Sequence, residues 1–228
     1  MKAMLLAAGR GERLRPLTDS VPKALVDVGG KPLIAWHLER LAAAGCREAV
    51  INVSHLGERI EEAMGDGRRF GLRISYSREP ERLETAGGIA QALPLLGMQP
   101  FVLLNADVYC EFPLQRLLGV ALGARLAHLV LVPNPEHRPR GDFALLSETV
   151  RGDGAPRYTY AGLAVVSPLL VQSVTRGQKA PLAPLLYGAA DAGRMTGELY
   201  EGLWEDVGTK ERLAKLEALL KNRRHGHR

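Results

Sequence analysis

Residues 3–23 read AMLLAAGRGERLRPLTDSVPK, an apolar run followed by a loop rich in glycine and arginine. The apolar run predicts a buried strand. Gly9 and Gly11 lack a Cβ, so the backbone there can take a positive φ and bring its N–H groups close to a ligand. Arg13 adds a planar guanidinium suited to bidentate phosphate contacts, and Lys23 adds a compact charge. This stretch therefore predicts a strand that leads into a polyanion-binding loop.

Two better-known glycine-rich loops are excluded by the residues that follow. The dinucleotide fingerprint G-x-G-x-x-G needs a third glycine, where this chain has Leu14, and an acidic residue after the next strand, where it has Ser54. The Walker P-loop needs Gly-Lys-Ser or Gly-Lys-Thr, and the Gly-Lys pair at 30–31 continues into proline. The loop therefore predicts neither a nicotinamide enzyme nor a Walker-type kinase or ATPase.

The composition indicates one aliphatic α/β core, because the 228 residues are 46% hydrophobic but only 5% aromatic. The net charge is +5. The basic residues are scattered without a face of interleaved aromatics, so no nucleic-acid partner is expected. Cys46 and Cys110 are far apart and predict neither a disulfide framework nor a zinc site. No signal peptide is recognised and no run approaches about 18 apolar residues, so we expect a cytoplasmic protein with no membrane partner.

Strand-like and helix-like segments alternate through the first half, which predicts parallel strands joined by right-handed crossovers. The expected fold is α/β, a single domain with a mostly parallel twisted sheet flanked by helices. Thr85 is expected to cap the third of the predicted helices. The predicted strands are 3–7, 49–53, 72–76, 101–104, 126–132, 143–146 and 158–166, and the predicted helices are 32–44, 58–64, 86–96, 182–190 and 209–221.

Asn105-Ala106-Asp107 directly follows a predicted buried strand. Ligands of open parallel sheets bind outside the carboxyl ends of the strands, so we expect Asp107 and the glycine loop to share one crevice. The basic, proline-rich segment 133–140 is expected to overhang that crevice. His37 is expected to be a core or boundary histidine, because it lies on the apolar side of a predicted helix.

Four motifs in the same order span nearly the whole chain. They are Gly9-x-Gly11-x-Arg13-Leu14-x-Pro16-Leu17-Thr18, Pro22-Lys23-Ala24-Leu25, Asn105-Ala106-Asp107 and Trp204-x-Asp206-Val207-Gly208-Thr209. With these motifs the chain resembles the sugar-1-phosphate nucleotidylyltransferases. The resemblance implies a Rossmann-like nucleotidyltransferase fold and an enzyme that joins a nucleoside triphosphate to a sugar 1-phosphate with release of pyrophosphate.

The resemblance also implies a role for each residue of the loop. Amides of Ala8, Gly9 and Gly11 would hold the triphosphate, and Arg13 would stabilise the leaving pyrophosphate. Lys23 would bridge the two reacting phosphates. No general base is implied, because the attacking phosphate is already an anion.

By the same resemblance, Asp107 and Asp206 would be the ligands of Mg²⁺, which in proteins takes one or two carboxylates and completes its octahedron with phosphate oxygens and water. The nucleobase and nucleoside contacts would come from Glu84, Gly87, Gly88 and Asn105, and the sugar contacts from Gly141, Tyr160 and Gly162. Gly87 and Gly88 are poor helix formers, which indicates the close approach of another group.

Two departures from the family pattern concern the phosphates. Glu12 stands where the family commonly has threonine, and a Glu-Lys-Pro segment that supplies a phosphate-binding lysine in larger relatives is absent before Tyr158. The candidates for the sugar-phosphate anchor are Lys179 and the basic residues of the 138–140 loop.

Segments 9–13, 83–88 and 181–186 resemble most closely the bacterial uridylyltransferases that act on N-acetylmuramic acid 1-phosphate in peptidoglycan recycling. The expected substrates are therefore UTP and that sugar phosphate. The alternatives are a mannose-1-phosphate guanylyltransferase and, outside the enzymes, a catalytically silent nucleotide-sensing subunit. The low aromatic content argues against a phosphocholine enzyme.

The expected organisation is one domain over 1–228, with a nucleotide-binding part at 1–110 and a sugar-binding part at 111–208. A C-terminal helix over 209–220 and a solvated basic tail over 221–228 follow. The oligomeric state is left open, and a monomer is compatible with the sequence.

Overall fold

The computed structural model describes residues 1–225, and a nine-stranded sheet forms its centre. The sheet strands are β1 (Ala3–Leu6), β2 (Glu48–Val53), β3 (Arg73–Arg78), β4 (Phe101–Asn105), β6 (Ala127–Val132), β7 (Phe143–Leu146), β8 (Thr149–Arg151), β9 (Arg157–Val166) and β10 (Met195–Leu199). A separate antiparallel pair consists of β5 (Val108–Cys110) and β11 (Trp204–Asp206).

The α-helices are α1 (Leu17–Ser20), α2 (Leu33–Ala43), α3 (Gly57–Met64), α4 (Glu84–Leu96), α5 (Leu114–Leu118), α6 (Ala183–Asp191) and α7 (Lys210–His225). Short 3-10 helices occupy Glu12–Leu14, Lys23–Leu25, Arg68–Phe70 and Pro168–Val171. No helix within residues 1–225 has the length and apolar composition needed to cross a membrane.

The strand order is β3-β2-β1-β4-β9-β6-β10-β8-β7. The pairings give seven of the nine strands one direction, and only β8 and β9 run the other way. The sheet flanked by helices is thus confirmed, and so are the parallel connections of the first half. Because β9 runs opposite to both its neighbours, it begins at the edge where β4 and β6 end.

The pairings place the motif residues at that edge. Leu6, the last residue of β1, pairs with Asn105, the last residue of β4. Tyr160 near the start of β9 pairs with Leu131 near the end of β6. The glycine loop, the Asn105 turn and the start of β9 therefore meet at one edge of the sheet.

The two faces of the sheet are covered by different helices, as the alternation of side chains along a strand requires. Leu5 of β1 belongs to an apolar cluster with residues of α2, α3 and α5. Met4, its neighbour on the chain, belongs to a cluster with residues of α4 and α6. Both faces are therefore buried, which explains why the central strands read as continuous apolar runs.

A third apolar cluster lies under α7. Leu216 and Leu220 of this helix are buried in a cluster with Leu14 of the glycine-rich segment, Val28 and Val207. The C-terminal helix therefore supports the rear of the loop that follows β1.

Two expectations about helix ends were wrong. Thr85 does not cap α4: the helix begins at Glu84, with Leu83 in the capping position and no side-chain cap. Instead the amides of Ala86 and Gly87 donate to Ala180 O at 2.9 and 3.1 Å, so a neighbouring loop satisfies the first turn. The predicted basic tail is also shorter, because α7 continues through His225, and residues 226–228 lie outside the described part.

We predict that Leu216→Ala lowers the free energy of unfolding by about 2–5 kcal/mol, the usual cost of truncating a buried leucine. Leu216 is fully buried between α7 and the glycine-rich segment. Urea unfolding measures the change. The control is Leu169→Ala at an exposed leucine, which should fall within about 0.5 kcal/mol of wild type. Equal effects of the two substitutions would contradict the packing of α7.

Candidate functional site

A cavity of about 940 Å³ opens at the edge of the sheet where β1 and β4 end. Nine of the residues predicted from the sequence line it: Ala8, Gly9, Gly11, Arg13, Lys23, Glu84, Asn105, Asp107 and Tyr160. The other five, Gly87, Gly88, Gly141, Gly162 and Asp206, lie outside its lining. One cavity therefore gathers the glycine loop, the Asn105 turn and the start of β9.

The two glycines of the loop have different surroundings. A Cβ on Gly9 would meet nothing within 4 Å. Gly11 has φ +66°, and a Cβ there would lie 2.9 Å from Thr18 Cγ2 and 3.1 Å from Lys23 Cβ. Thr18 Oγ1 also donates to Gly11 O at 2.8 Å. Gly11 thus gives room for the turn and for Lys23, whereas Gly9 presents an open backbone to the cavity.

Lys23 and Asp107 form an ion pair across the cavity floor. Lys23 Nζ lies 2.5 Å from Asp107 Oδ2. The lysine side chain is only 10% exposed, and the aspartate side chain is 40% exposed. A buried ammonium needs an anionic partner to offset its lost hydration, and Asp107 provides it. The pair also keeps an exposed carboxylate on the cavity side.

Asp206 lies beside Asp107 through backbone pairing of the small sheet. Asp206 pairs with Val108, and Val207 N donates to Asp107 O at 2.8 Å. The Asp206 carboxylate accepts from Arg212 Nη1 at 2.5 and 2.7 Å. The fold therefore places Asp206, at the end of β11, next to the turn that carries Asp107, although Asp206 is held by an arginine that the sequence analysis did not single out.

His37 supports these turns from within the core, as expected. Its Nε2 donates to Val108 O at 2.7 Å, and the residue is buried. Burial lowers the pKa of His37 to about 4, so the imidazole stays neutral near neutral pH.

The donor set suits a hard cation with few protein ligands. Within the part of the chain that the structure describes, no group of three or more His, Cys, Asp or Glu is arranged to hold a metal. Mg²⁺ needs only one or two carboxylates when phosphates and water complete its shell. Asp107, in the turn before β5, and Asp206, at the end of the paired strand β11, supply the two carboxylates that this requirement names.

The start of α4 forms another wall. Glu84 lines the cavity with φ +60°, a left-handed conformation that is strained for a residue with a Cβ. The close approach expected at Gly87 and Gly88 is to the protein itself. A Cβ on Gly87 would overlap Gln178 O, and one on Gly88 would lie 2.5 Å from Glu79 Oε1. Of this segment, Glu84 and Thr85 face the cavity.

A buried polar network, missed in the sequence, links this wall to the glycine loop. Asn52 Oδ1 accepts from Ala7 N at 2.8 Å, and Asn52 Nδ2 donates to Glu79 Oε1 at 2.7 Å. Glu79 Oε2 accepts from Leu83 N at 3.0 Å. The sequence signal that could have revealed this network is Asn52, a polar residue near the end of the apolar strand β2. The network fixes the end of β1 relative to the start of α4.

The far end of the cavity combines apolar walls with a few polar groups. Phe143, Leu182, Leu186 and Tyr187 line it, and the Phe143 and Tyr187 rings lie 4.8 Å apart. Tyr160 N donates to Asp142 Oδ2 at 2.8 Å. The Tyr160 hydroxyl is buried without a hydrogen-bond partner among the described residues, and burial raises its pKa. The hydroxyl is enclosed by the protein, so Tyr160 lines the cavity with other atoms of the residue.

The remaining glycines act through packing. A Cβ on Gly141 would lie 2.7 Å from Asn134 Oδ1, and a Cβ on Gly162 would lie 2.7 Å from Asn105 Nδ2. Both glycines have a positive φ, +62° and +77°. They therefore allow the close approach of neighbouring side chains behind the cavity wall.

The two candidate anchors for the sugar phosphate are separated by the structure. Arg138 lines the cavity, 3.5 Å from Asp142 Oδ2. Lys179 is exposed, lies 3.6 Å from Glu81 and is outside the cavity. The basic loop 133–140 therefore reaches the cavity through Arg138, as its expected overhang requires.

Comparison with known proteins identifies the family of this chain. A model of the nucleotidyl transferase family matches residues 2–143. The chain belongs to the nucleotidyl transferase family. The family predicted from the four motifs is thus confirmed.

This nucleotidyl transferase is similar to enzymes that act on different sugar phosphates. The chain is 50% identical over 226 residues to an N-acetylmuramate alpha-1-phosphate uridylyltransferase of Neisseria meningitidis, covering 96% of this chain and 98% of that protein. It is 32% identical to a mannose-1-phosphate guanyltransferase beta-A of Xenopus laevis, covering 91% of this chain but only 61% of the relative. A putative glucose-1-phosphate thymidylyltransferase of Bacillus anthracis superposes with a TM-score of 0.85 at 18% identity, over 97% of this chain and 95% of that chain, and so shares the fold.

We predict that Gly11→Ala lowers the free energy of unfolding by about 1–3 kcal/mol, because the added Cβ meets Thr18 and Lys23 at a positive φ. Gly9→Ala is the matched control. Its Cβ meets open space, so the stability of the ligand-free protein should change by less than about 0.5 kcal/mol. Urea unfolding compares the two variants, and equal losses would show that the turn does not depend on Gly11.

Proposed function

We propose that this nucleotidyl transferase joins UTP to N-acetylmuramic acid α-1-phosphate and releases pyrophosphate. The observation that carries the proposal is the 50% identity to the Neisseria uridylyltransferase over nearly the full length of both chains. We further propose that the reaction runs in the cytoplasm and recycles a sugar of the peptidoglycan.

The residues around the glycine loop supply positioning and charge. In the proposed reaction the open backbone at Gly9 faces the triphosphate and Arg13 binds the β- and γ-phosphates. Lys23 lies between the incoming sugar phosphate and the α-phosphate, where its charge offsets their repulsion. An oxygen of the sugar phosphate attacks the α-phosphorus, a new P–O bond forms, and the bond to the pyrophosphate oxygen breaks. The attacking oxygen carries no proton, so the site needs no general base.

Asp107 and Asp206 are the proposed holders of Mg²⁺. Their carboxylates suit this cation, and the hydrogen bond from Val207 N to Asp107 O joins the end of β11, which carries Asp206, to the turn that carries Asp107. When bound there, the cation would neutralise part of the phosphate charge. Lys23 contributes a further positive charge beside Asp107.

The far end of the cavity suits the proposed sugar. N-acetylmuramic acid carries an N-acetyl methyl group and a lactyl ether that ends in a carboxylate. Phe143, Leu182 and Leu186 offer apolar contacts for the methyl groups, and Arg138 offers a guanidinium for the carboxylate.

Mannose-1-phosphate guanylyltransferase is the second candidate, because the Xenopus relative is 32% identical over most of this chain. The carboxylate of Glu84 at the cavity wall could accept from N–H groups of either uracil or guanine.

Pyrophosphate release from a grid of substrates tests the proposal. UTP, GTP, CTP and dTTP are each combined with Mg²⁺ and with the 1-phosphates of N-acetylmuramic acid, N-acetylglucosamine, glucose and mannose. We expect release with UTP and N-acetylmuramic acid 1-phosphate. Release confined to GTP and mannose 1-phosphate would favour the second candidate, and nucleotide binding without any release would indicate a sensor.

We predict that Lys23→Ala lowers turnover by about 10²–10³-fold, the usual effect of removing one preorganised electrostatic group. The fold should persist, because Asp107 is exposed enough to be hydrated without its partner. Turnover and the melting temperature are measured together. Lys31→Ala, which removes a lysine paired with Glu39 outside the cavity, is the control and should keep its turnover. A loss of stability with intact turnover would assign Lys23 to packing alone.

We predict that Arg138→Gln raises KM for N-acetylmuramic acid 1-phosphate by about tenfold, the effect of losing one charge-assisted hydrogen bond. KM for N-acetylglucosamine 1-phosphate, which lacks the lactyl carboxylate, should stay the same. Lys179→Gln is the matched control, because Lys179 lies outside the cavity. Equal changes for both sugars would assign Arg138 to the shared phosphate.

A further inference from the structure

Each of the two carboxylates of the proposed metal site already has a cationic partner. Lys23 holds Asp107, and Arg212 Nη1 holds both oxygens of Asp206 at 2.5 and 2.7 Å. The side chains of Arg212 and Asp206 are only 13% and 17% exposed. A cation that coordinates Asp206 therefore competes with this guanidinium for the same oxygens.

Arg212 approaches Arg13 with its other terminal nitrogen. A Cβ on Gly208 would overlap Arg212 Nη2 and would lie 3.1 Å from Arg13 Nη2, so both guanidinium groups border the same glycine. Gly208 and Arg13 line the cavity. Two like charges this close repel each other unless an anion lies between them. The geometry is that of a binding site for a multiply charged phosphate group.

Arg212 contacts three parts of the chain in this structure. It lies in the first turn of α7, whose Leu216 and Leu220 are buried under the glycine-rich segment. Arg212 Nη1 also donates to His137 Nε2 of the 133–140 loop at 2.6 Å. The guanidinium therefore contacts both β11 and the 133–140 loop, next to Gly208 of the cavity lining.

We propose that Arg212 is a further binding residue of this site, which holds Asp206 while the metal is absent and passes to the pyrophosphate part of the nucleotide, beside Arg13, when Asp206 takes the metal. This inference rests on the proposed function for the metal ligands. It makes Arg212 the counterpart of Lys23, since each cation exchanges a carboxylate for a phosphate.

The test uses the purified full chain and binding measurements in place of turnover. In Arg212→Gln, Mn²⁺ alone should bind about threefold tighter, because the competing charge on Asp206 is gone. UTP without metal should bind about tenfold weaker, and UMP, which lacks the pyrophosphate part, should bind as in wild type. Electron paramagnetic resonance measures free Mn²⁺, and calorimetry in a chelator measures the nucleotides.

Lys215→Gln is the matched control. Lys215 is on the same helix and pairs with Glu205, the neighbour of Asp206, so its removal deletes a comparable ion pair and should change neither affinity. Arg212→Lys serves if Arg212→Gln fails to fold. Lysine keeps the positive charge but lacks the planar guanidinium with two terminal nitrogens. Arg212→Lys should therefore still weaken the binding of UTP more than the binding of UMP.

Different results would contradict the exchange by Arg212 and the binding of the metal by Asp206. The exchange of Arg212 between Asp206 and phosphate is overturned if Arg212→Gln binds Mn²⁺ no more tightly than wild type. It is also overturned if the substitution weakens the binding of UTP and UMP equally. Neither result contradicts the proposed function. Asp206→Asn should bind Mn²⁺ at least about tenfold weaker. Wild-type Mn²⁺ binding by Asp206→Asn would refute the metal assignment, and the role of Arg212 with it.

Discussion

The ion pair between Lys23 and Asp107 is the contact on which the arrangement of the cavity depends. It joins the loop after β1 to the turn after β4, two neighbouring strands at the centre of the sheet. Lys23 can reach its partner because Gly11 leaves room for its stem at a positive φ. Since a buried ammonium without an anion is costly, the pair constrains the backbone on both sides. The remaining walls are arranged around this fixed floor.

The reversed strand β9 explains how one cavity can serve two substrates. Parallel strands alone bring only their carboxyl ends and the following loops to the ligand edge. Because β9 runs the other way, Tyr160 near its start reaches the same edge as Asn105 at the end of β4. The polar loop side and the aromatic side of the cavity therefore face each other across the junction of β4 and β9.

Long apolar runs predicted β1, β2, β4, β6 and β9 within a few residues, and the four motifs predicted the family. Two of the strands that were not predicted, β10 and β11, depend on partners distant in the sequence. A Cβ on Gly197 of β10 would lie only 2.7 Å from Leu129 O, and the polar strand β11 is formed by pairing with β5. The hydrogen bond from Asn52 to Glu79 was not predicted either, because the two residues are 27 positions apart in the sequence. Local propensity could not predict that Ala180 O would accept the first amides of α4 in place of the Thr85 side chain.

The C-terminal third completes a site that the family model, ending at residue 143, covers only in part. Asp206 and Arg212 come from β11 and α7, and Tyr160 comes from β9. The packing of α7 on Leu14 means that the helix which supports the glycine-rich loop also carries Arg212. Preorganised charges accelerate a reaction only if they stay in place as charge develops. Anchoring the loop and α7 to one apolar cluster keeps both backbones in place, so the proposed exchange of Arg212 moves only its side chain.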